Sequence, residues 1–541
     1  MSRPTGLILL ALALVLLWFL PLGAHSLFDP DEGRYAEIPR EMLQSGDWIT
    51  PRLDGIKYFE KPPLHYWATA AAYRLFGVHE WTARLWTALG GALGVLLLIG
   101  LGARVYGRSV GLLAGALLAG SGYYFVLAHL VTLDMGLSFA LQFALAGLVL
   151  LVAEPGAARA APWLLALGVA LGFLAKGLVA ILIPGAVGVL YLLLRRDWGL
   201  VLRARPWWTL LVLLLLAGPW VYAVSARNPE FPRFFFVHEH FERFLTRVHD
   251  RYEPDWFFIP VLLLGFVPWT TLLPGAALRA WRDARAGDGA ALMLGLWVIF
   301  VFAFFSLSQS KLIPYIVPLF PALALLVARE VEALDAKRLA RHLGFVAGAS
   351  LLLLLSLAAW AGTSAGQRRL VQLGPEAVAW LFAAIALGAA GSGAGAWIAA
   401  RGRRLAAVLA AGVATAVTVT LLLYASGSIE RQRDMMAAID SLRAALRPAS
   451  AFYCVADYTQ PVPFYLGRTC TLVRYQGELR FGLSQEPWRF VPDLQAFAER
   501  WRADADPVAL VEPGAYAELA GMGLPMRVIY TSRSYVAVVR P

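Results

Sequence analysis

Long apolar segments separated by short polar ones are the most regular feature of the chain. Examples lie at Leu7–Leu22, Leu89–Leu101, Leu210–Val224 and Leu292–Leu307. Runs of about 18 or more apolar residues with almost no charge are typical of helices that cross a membrane. The pattern therefore predicts a polytopic α-helical membrane protein.

The number of spans follows from counting segments of about 20 apolar residues, which gives about thirteen. Their approximate cores are 6–23, 83–102, 110–128, 134–153, 161–175, 177–194, 207–225, 257–278, 289–307, 312–328, 343–363, 376–399 and 405–426. The spans next to Lys176 and Lys311 are the least regular, because a lysine interrupts each apolar run.

The charges between the spans predict the orientation, because Lys and Arg concentrate in cytoplasmic loops. With a cytoplasmic N-terminus, the inside segments carry most of the basic residues: Arg3, Arg104, Arg108, Arg159, Arg195, Arg196, Arg203, Arg205, Arg279, Arg282, Arg285, Arg329, Lys337, Arg338, Arg341, Arg401, Arg403 and Arg404. The short outside loops carry only Lys176, Lys311, Arg368 and Arg369. An odd number of spans then leaves the C-terminus outside, which in a bacterium is the periplasm.

Composition supports this interpretation. The 541 residues are 59% hydrophobic and 15% charged, whereas an ordinary soluble protein is about 45–50% apolar and about 25% charged. The net charge of +11 is mostly explained by basic residues on the inner side, so it does not indicate a nucleic-acid-binding protein.

The chain changes character after residue 427, which divides it into a transmembrane domain, 1–427, and a soluble domain, 428–541. Residues Glu430–Leu446 have the pattern of an amphipathic helix, and strand-like runs follow at Ala451–Val455, Thr469–Tyr475, Pro507–Val511 and Arg527–Val539. This pattern predicts a small periplasmic α/β domain. It contains both cysteines, Cys454 and Cys470, and either a disulfide or two buried thiols fits the sequence.

The first outside loop, 24–82, is dense in charged and aromatic residues. Asp31 and Glu32 begin a helical stretch that ends near Gly46, and acidic residues suit the positive N-terminal end of a helix dipole. Prolines 62 and 63 open a second helix, Leu64–Phe76. Both helices have apolar positions at helical spacing, so we expect them to lie at the membrane interface as amphipathic juxtamembrane helices.

Three ionisable residues at the ends of apolar runs add to this loop. Asp134, Lys176 and Lys311 all fall on the outer side in the predicted topology. Charged groups within spans are energetically costly, so they usually have partners and often a function. The outside loop 228–255 contributes His240 and Arg243. A plain polar connector remains an alternative for each loop.

Carboxylates and several cations on one side of a membrane suit one chemical task. Lys and Arg bind a phosphate that must leave, and a carboxylate orients or deprotonates an acceptor. The chain has no GxxxxGK[ST] phosphate loop, no HExxH and no CxxC motif, which argues against a nucleotide-driven pump and a zinc protease.

The stretch from Asp29 to Pro63, DPDEGRYAEIPREMLQSGDWITPRLDGIKYFEKPP, resembles the first periplasmic loop of the bacterial lipid A aminoarabinose transferases. These are GT-C glycosyltransferases related to the protein O-mannosyltransferases. The resemblance continues at Ala175–Gly177, Glu239–Phe244, Pro268–Trp269 and Ser310–Ile316, and it covers roughly residues 5–330. It implies a GT-C fold.

The resemblance also assigns residues. Asp31, rather than Asp29, matches the leading catalytic carboxylate, and Asp134 matches a second functional aspartate. Lys61 and Arg243 fall where the family contacts the carrier phosphate. The other matching positions implied to bind substrate are Arg34, Tyr58, Glu60, Lys176, His240, Lys311 and Tyr315. No metal ligands and no cofactor are assigned, and a divalent cation near Glu60 and a loop histidine is left open.

The implied reaction moves 4-amino-4-deoxy-L-arabinose from undecaprenyl phosphate to a lipid A phosphate, at the periplasmic face of the inner membrane. Three alternatives stay open. A GT-C enzyme could use another polyprenyl-linked sugar and a lipid, glycan or protein acceptor, because nothing in the sequence identifies the sugar. A transporter would show inverted repeats and a central charged pathway. A mere membrane anchor would need only one span.

Overall fold

The protein is largely helical in its computed structural model, which describes residues 3–154, 156, 159–242 and 252–541. The helices of the first half, numbered in chain order, are α1 (Arg3–Phe19), α2 (Asp31–Ser45), α3 (Leu64–Phe76), α4 (Glu80–Tyr106), α5 (Arg108–Ala119), α6 (Gly122–Ala128), α7 (Leu133–Ala153), α8 (Ala161–Lys176), α9 (Val179–Arg195), α10 (Gly199–Ala204) and α11 (Pro206–Arg227). A short hairpin, β1 (Arg52–Leu53) and β2 (Ile56–Lys57), joins α2 to α3.

The second half continues after a π-helix at Arg233–Glu242. Its helices are α12 (Phe258–Gly265), α13 (Leu273–Arg285), α14 (Gly289–Leu307), α15 (Phe320–Ala333), α16 (Ala336–Ala361), α17 (Ser364–Leu373), α18 (Pro375–Ala400), α19 (Arg404–Gly427), α20 (Glu430–Ala445), α21 (Pro461–Leu466), α22 (Arg480–Gln485), α23 (Leu494–Ala503) and α24 (Pro513–Gly521). A 3₁₀ helix, Ile313–Leu319, leads into α15.

The apolar helices agree with a multi-pass membrane protein. Within the described residues, seven helical segments are long and apolar enough to cross a membrane: α4, α7, the segment from α10 through α11, α14, α16, α18 and α19. Two bent pairs raise this number to nine, and α8, α9 and Ala11–Gly23 are shorter apolar helices. The number of thirteen spans stays a prediction.

Two predicted spans differ in shape from the expectation. Residues 257–278 do not form one straight helix, because the direction of the chain changes by 109° between α12 and the segment Thr270–Arg285. The segment predicted over 312–328 starts as the 3₁₀ helix and becomes α-helical only at Phe320. Apolar character along a sequence indicates burial in lipid or protein but contains no information about such bends.

The C-terminal region forms a six-stranded sheet with the order β5-β4-β3-β6-β8-β7. Its strands are β3 (Ala451–Val455), β4 (Thr471–Val473), β5 (Phe490–Val491), β6 (Pro507–Val511), β7 (Arg527–Thr531) and β8 (Val536–Val539). The strands β5, β4, β3 and β6 are parallel, and β8 and β7 add an antiparallel edge. The α/β prediction is confirmed, except that the run Arg527–Val539 is two strands.

Alternate residues of β3 point to opposite faces of this sheet, as in any strand. Tyr453 and Val455 belong to a core formed with α23 and α24. Phe452 and Cys454 belong to a different core, which includes residues of α20, α2 and α3. The sheet domain therefore shares one hydrophobic core with the first outside loop.

This shared core buries α2 more completely than its amphipathic pattern predicted. The helix has the predicted bounds, but every residue from Glu32 to Met42 is buried, including five charged ones. The sheet domain packs closely on α2 at Gly33. A Cβ at this position would lie 2.4 Å from the backbone nitrogen of Pro461, so there is no room for a side chain. The helix is thus enclosed between the C-terminal domain on one side and α3 and α4 on the other.

Candidate active site

The first turn of α2 presents one exposed carboxylate among buried charges. Asp31 is 45% exposed at its side chain, and its Oδ1 lies 3.3 Å from a guanidinium nitrogen of Arg34 one turn later. Arg34 is only 3% exposed and forms a second ion pair with Glu478 of the sheet domain, at 2.5 Å. The guanidinium is therefore held between two carboxylates, one of which faces solvent.

Two tyrosine hydroxyls are buried beside this arginine. Within the described residues, Tyr58 Oη and Tyr66 Oη have no hydrogen-bond partner. Burial raises the pKa of both hydroxyls, and Arg34 and Glu60 are near enough to influence each of them. Buried hydroxyls normally find a partner, so these two are exceptions among the described residues.

Lys61 lies in a second group of charges. Its Nζ is 3.0 Å from Glu239 Oε2 and donates to the backbone oxygen of Glu60 at 2.8 Å. It is also 3.7 Å from Glu60 Oε2. Glu239 lies on the π-helix, so this ion pair joins the first outside loop to the loop 228–255.

A third group consists of Asp134, Lys176 and Tyr315. Asp134 is in the first turn of α7, Lys176 is the last residue of α8, and the two side chains form an ion pair. The Nζ of Lys176 also lies 4.3 Å from the ring centroid of Tyr315, which is a cation–π distance. Three predicted site residues from distant parts of the sequence are thus brought together.

A buried ion pair connects this third group to the start of α2. Glu32 accepts from Arg84 of α4 at 2.8 Å through both of its oxygens, and its Oε1 also accepts from the backbone N–H of Val131 at 2.8 Å. Burial alone would raise the pKa of the Glu32 carboxyl, but Arg84 lowers it below its ordinary value. This network ties the residue next to Asp31 to the loop that leads into Asp134.

The remaining predicted residues are not all assembled here. Lys311 is held by residues that were not predicted to belong to the site. Its Nζ donates to the backbone oxygen of Glu253 at 2.8 Å and lies 3.4 Å from Asp255 Oδ1. His240 lies in the π-helix, and its side chain is outside the described part of the structure. Arg243 lies outside the described residues altogether.

A metal site remains untested. Among the described residues, no group of three or more His, Cys, Asp or Glu side chains is arranged to hold a metal ion. Several loop residues in 243–251 lie outside that set, so the divalent cation near Glu60 stays a hypothesis.

Four residues of this region received no site role from the sequence. Glu32 and Arg84 form the central ion pair, Glu239 pairs with Lys61, and Glu478 pairs with Arg34. A charge at the start of an apolar span is a usable signal for Arg84. Nothing in the sequence connects Glu478 to Arg34, because the two belong to different domains.

The arrangement combines an exposed carboxylate, cations paired with acidic residues, and free hydroxyls. Lysine and arginine in such sites stabilise charge that develops on a leaving phosphate, and a carboxylate can orient an acceptor. Apolar helices adjoin the site. These are the parts required for group transfer from a lipid-linked phosphate.

Two family models match the sequence. Residues 5–235 match the family described as dolichyl-phosphate-mannose-protein mannosyltransferase. Residues 438–540 match the aminoarabinose transferase C-terminal domain. The two matches fall on the transmembrane part and on the sheet domain, respectively.

Among curated proteins, the chain is 38% identical over 330 residues to the undecaprenyl phosphate-alpha-4-amino-4-deoxy-L-arabinose arabinosyl transferase of Pseudomonas aeruginosa. That alignment covers 60% of each chain, so the chain spans less than two thirds of this relative. A similar protein from Aeromonas salmonicida, with the same name, is 37% identical over 328 residues, covering 59% of this chain and 58% of the relative.

A solved structure matches over nearly the whole length. The crystal structure of ArnT from Cupriavidus metallidurans bound to undecaprenyl phosphate has a TM-score of 0.92 and 34% sequence identity, covering 99% of this chain and 98% of that one. The archaeal oligosaccharyltransferase AglB from Archaeoglobus fulgidus has a TM-score of 0.50 at 13% identity, covering 94% of this chain and 70% of that one. The second similarity concerns the fold alone.

Proposed function

The chain belongs to the aminoarabinose transferase family of GT-C glycosyltransferases, and from this premise we propose that it transfers 4-amino-4-deoxy-L-arabinose from undecaprenyl phosphate to a phosphate group of lipid A. The observation that carries the proposal is the exposed carboxylate of Asp31 beside Arg34, in a chain that aligns along 99% of its length with an undecaprenyl-phosphate-bound relative. The reaction takes place at the periplasmic face of the bacterial inner membrane.

The transfer is a single displacement with inversion. An oxygen of the acceptor phosphate attacks the anomeric carbon and forms the new carbon–oxygen bond. The bond from that carbon to undecaprenyl phosphate breaks, and its electron pair leaves with the undecaprenyl phosphate. Because a phosphate acceptor is already ionised near neutral pH, positioning and charge stabilisation contribute more than proton removal.

Each charged group then has a distinct task. Asp31, which is the exposed member of its ion pair, orients the acceptor. Lys61, which is held by Glu239, stabilises the charge on the leaving phosphate together with Arg243. Asp134 of α7, Lys176 of α8 and Tyr315 of the 3₁₀ helix contribute a further charged group to the site.

The modified lipid A would protect the cell against cationic peptides. The transferred sugar carries an amino group, so the modification reduces the negative charge of lipid A. Cationic peptides such as polymyxin bind more weakly to a less negative surface, since exposed charges attract them through long-range electrostatics.

A mass measurement tests the proposal. Wild type, Asp31→Asn and the control Asp440→Asn are purified in detergent and incubated with undecaprenyl-phosphate aminoarabinose and lipid A. Asp440 forms an ion pair with Arg443 at the same i,i+3 spacing, on an exposed surface of α20. We expect wild type and Asp440→Asn to add the mass of one aminopentose residue to lipid A, and Asp31→Asn to lose this activity.

The opposite results are equally informative. A folded wild-type protein that adds no aminopentose would contradict the donor assignment, and other polyprenyl-linked sugars would then be offered. Asp31→Asn with wild-type activity would remove Asp31 from the chemistry but leave the reaction in place.

A further inference from the structure

The sheet domain contributes one segment to the surroundings of Asp31 and Lys61. We call Gly477–Glu486 the clasp segment. It consists of a short 3₁₀ helix, Gly477–Leu479, followed by α22. Three of its side chains and one of its glycines contact the first outside loop or the π-helix.

Its first contact is with the arginine that pairs with Asp31. Glu478 Oε2 lies 2.5 Å from a guanidinium nitrogen of Arg34, and the Glu478 side chain is 15% exposed. The other oxygen of Glu478 accepts from Gln460 Nε2. The backbone N–H of Gln460 in turn donates to Asp29 Oδ1 at 2.9 Å. Glu478 is thus fixed on one side by its own domain and holds Arg34 on the other.

The second contact reaches the surroundings of Lys61. The ring of Phe481 is stacked on that of Phe234 with a centroid separation of 3.9 Å. Phe234 lies on the π-helix that carries Glu239, the partner of Lys61. Phe481 also packs edge-on against Phe59. The clasp segment therefore contacts both loops that supply the Lys61 site.

The third contact fixes the distance between the domains. A Cβ at Gly482 would lie 2.3 Å from the backbone oxygen of Lys57, so only glycine permits this approach. Glu486 accepts from the backbone N–H of Lys57 at 3.2 Å and from Arg52 at 3.0 Å. The hairpin β1–β2 is held against α22 by these bonds.

We propose that Glu478 is a positioning residue of the transferase: it keeps the Arg34 guanidinium from closing on Asp31, so that the Asp31 carboxylate remains available to the acceptor. The observed geometry supports this proposal, because a guanidinium nitrogen of Arg34 lies 2.5 Å from Glu478 Oε2, whereas the nearest distance to Asp31 Oδ1 is 3.3 Å. Guanidinium groups readily form bidentate pairs with carboxylates. Without Glu478, Arg34 forms a bidentate pair with Asp31, and the Asp31 carboxylate is then no longer available to the acceptor. The proposal rests on the function proposed above for Asp31.

The consequence for the molecule is that the C-terminal domain is a component of the active site. A residue that only stabilises the fold would affect donor binding, turnover and thermal stability together. A residue that positions Asp31 through Arg34 affects turnover, while donor KM and Tm stay close to those of the wild type.

The test compares wild type, Glu478→Gln, Glu478→Asp, Arg34→Gln and the Arg34→Gln/Glu478→Gln double variant, all as full-length protein in detergent. Glu518→Gln is the matched control, because it breaks a Glu–Arg pair with Arg474 elsewhere on the same domain. We expect Glu478→Gln to reduce kcat by about 10- to 100-fold, the effect of a small misplacement in an active site. Its KM for the donor should stay within about twofold, and Glu478→Asp should recover part of kcat.

The double variant decides how Glu478 acts. If it acts through Arg34, Glu478→Gln produces no further loss in the Arg34→Gln background, since residues that act as a unit are not additive. An equal loss in both backgrounds would overturn the proposal. A wild-type kcat in Glu478→Gln would also overturn the proposal. The same holds if the loss of kcat accompanies a lowered Tm and also occurs in Glu518→Gln.

A second measurement separates this proposal from failure of the proposed function. Hydrogen–deuterium exchange over residues 29–36 is recorded for wild type, Glu478→Gln and Glu518→Gln, without any substrate. Increased exchange in Glu478→Gln alone supports the contact with Arg34, and unchanged exchange overturns it. If the wild type does not use the aminoarabinose donor, the proposed function is wrong, but the exchange result still tests the contact between Glu478 and Arg34. The kcat values are then measured with whichever polyprenyl-linked sugar the wild type transfers.

Discussion

Asp134 and Lys176 form an ion pair between the first turn of α7 and the last turn of α8. The sequence shows each charge alone within an apolar surrounding. In the structure, each has the other as its partner, and Tyr315 lies against the lysine. Because both side chains are mostly buried, the pair can serve stability, catalysis or both, and these roles are separable by mutation.

Lys176→Met should lower the free energy of unfolding by about 3–5 kcal/mol, because it leaves the Asp134 carboxylate buried without its partner. The Asp134→Asn/Lys176→Met double variant should return close to wild-type stability, since no charge then remains. If the pair takes part in the reaction, the double variant stays at least about 10-fold below wild type in kcat. Thermal unfolding in detergent and the lipid A assay measure the two effects. Recovery of activity along with stability would limit the pair to a structural role.

Tyr58→Phe should reduce activity without reducing stability. The Tyr58 hydroxyl is buried and has no partner among the described residues, so its removal relieves an unmet hydrogen bond and should raise the free energy of unfolding, or leave it unchanged. Activity falls if the hydroxyl binds substrate. Tyr73→Phe is the control, because Tyr73 Oη donates to the backbone oxygen of Ala36 at 3.1 Å and its loss should cost about 1 kcal/mol. Wild-type activity in Tyr58→Phe would exclude a role for this hydroxyl.

Asp54 gives the protein a pH-dependent stability. Burial, and next the nearby charge of Glu37, raise its pKa from 3.8 to about 8, although the backbone N–H of Cys470 opposes the shift. Between about pH 4 and pH 8 the folded protein therefore holds a proton that the unfolded chain has released. The free energy of unfolding accordingly falls as the pH rises through this window.

Asp54→Asn should remove this dependence. Asparagine has nearly the same shape and tolerates the left-handed backbone of this position, where φ is +54°. The Tm of Asp54→Asn minus that of wild type should be small near pH 4, rise up to about pH 8 and level off above it. Thermal unfolding at a series of pH values measures the difference. A difference that is constant with pH would show that Asp54 ionises normally in the folded protein.

The two cysteines are joined in the structure, which decides between the alternatives that the sequence left open. The disulfide links Cys454 of β3 to Cys470, 16 positions later and adjacent to β4. Cross-linking a loop of this length stabilises a protein by about 3 kcal/mol. The Cys454→Ser/Cys470→Ser variant should lose about that much, and a reductant should lower the Tm of wild type but not of the variant. The reductant must be shown to open the disulfide. If the Tm of the wild type is then the same with and without it, the disulfide does not contribute this stability.

The sequence was informative wherever local pattern controls structure. Helices α2 and α3 begin and end where the acidic residues, prolines and glycines indicated. The strands at Ala451–Val455 and Pro507–Val511 have the predicted bounds. Such features depend on residues a few positions apart, whose periodicity is visible in any single sequence.

The assembly of the site could be predicted only in part. The loop motif indicated Asp31, Arg34 and Lys61 as a group, and their roles stay predictions. Their partners Glu478 and Glu239 come from other segments, and no short-range pattern marks a residue as the partner of a distant charge.

The sequence by itself determined that this is a multi-pass helical protein with an α/β domain after the last span, and it marked the loop in which an unusual number of charges must be accommodated. Only the tertiary structure decided that this domain shares a core with α2, that Arg34 is held between Asp31 and Glu478, and that Asp134 is neutralised by Lys176. The physical reason is that a buried charge requires a partner, whereas the identity of that partner depends on how distant segments pack, which local hydrophobic patterning does not encode.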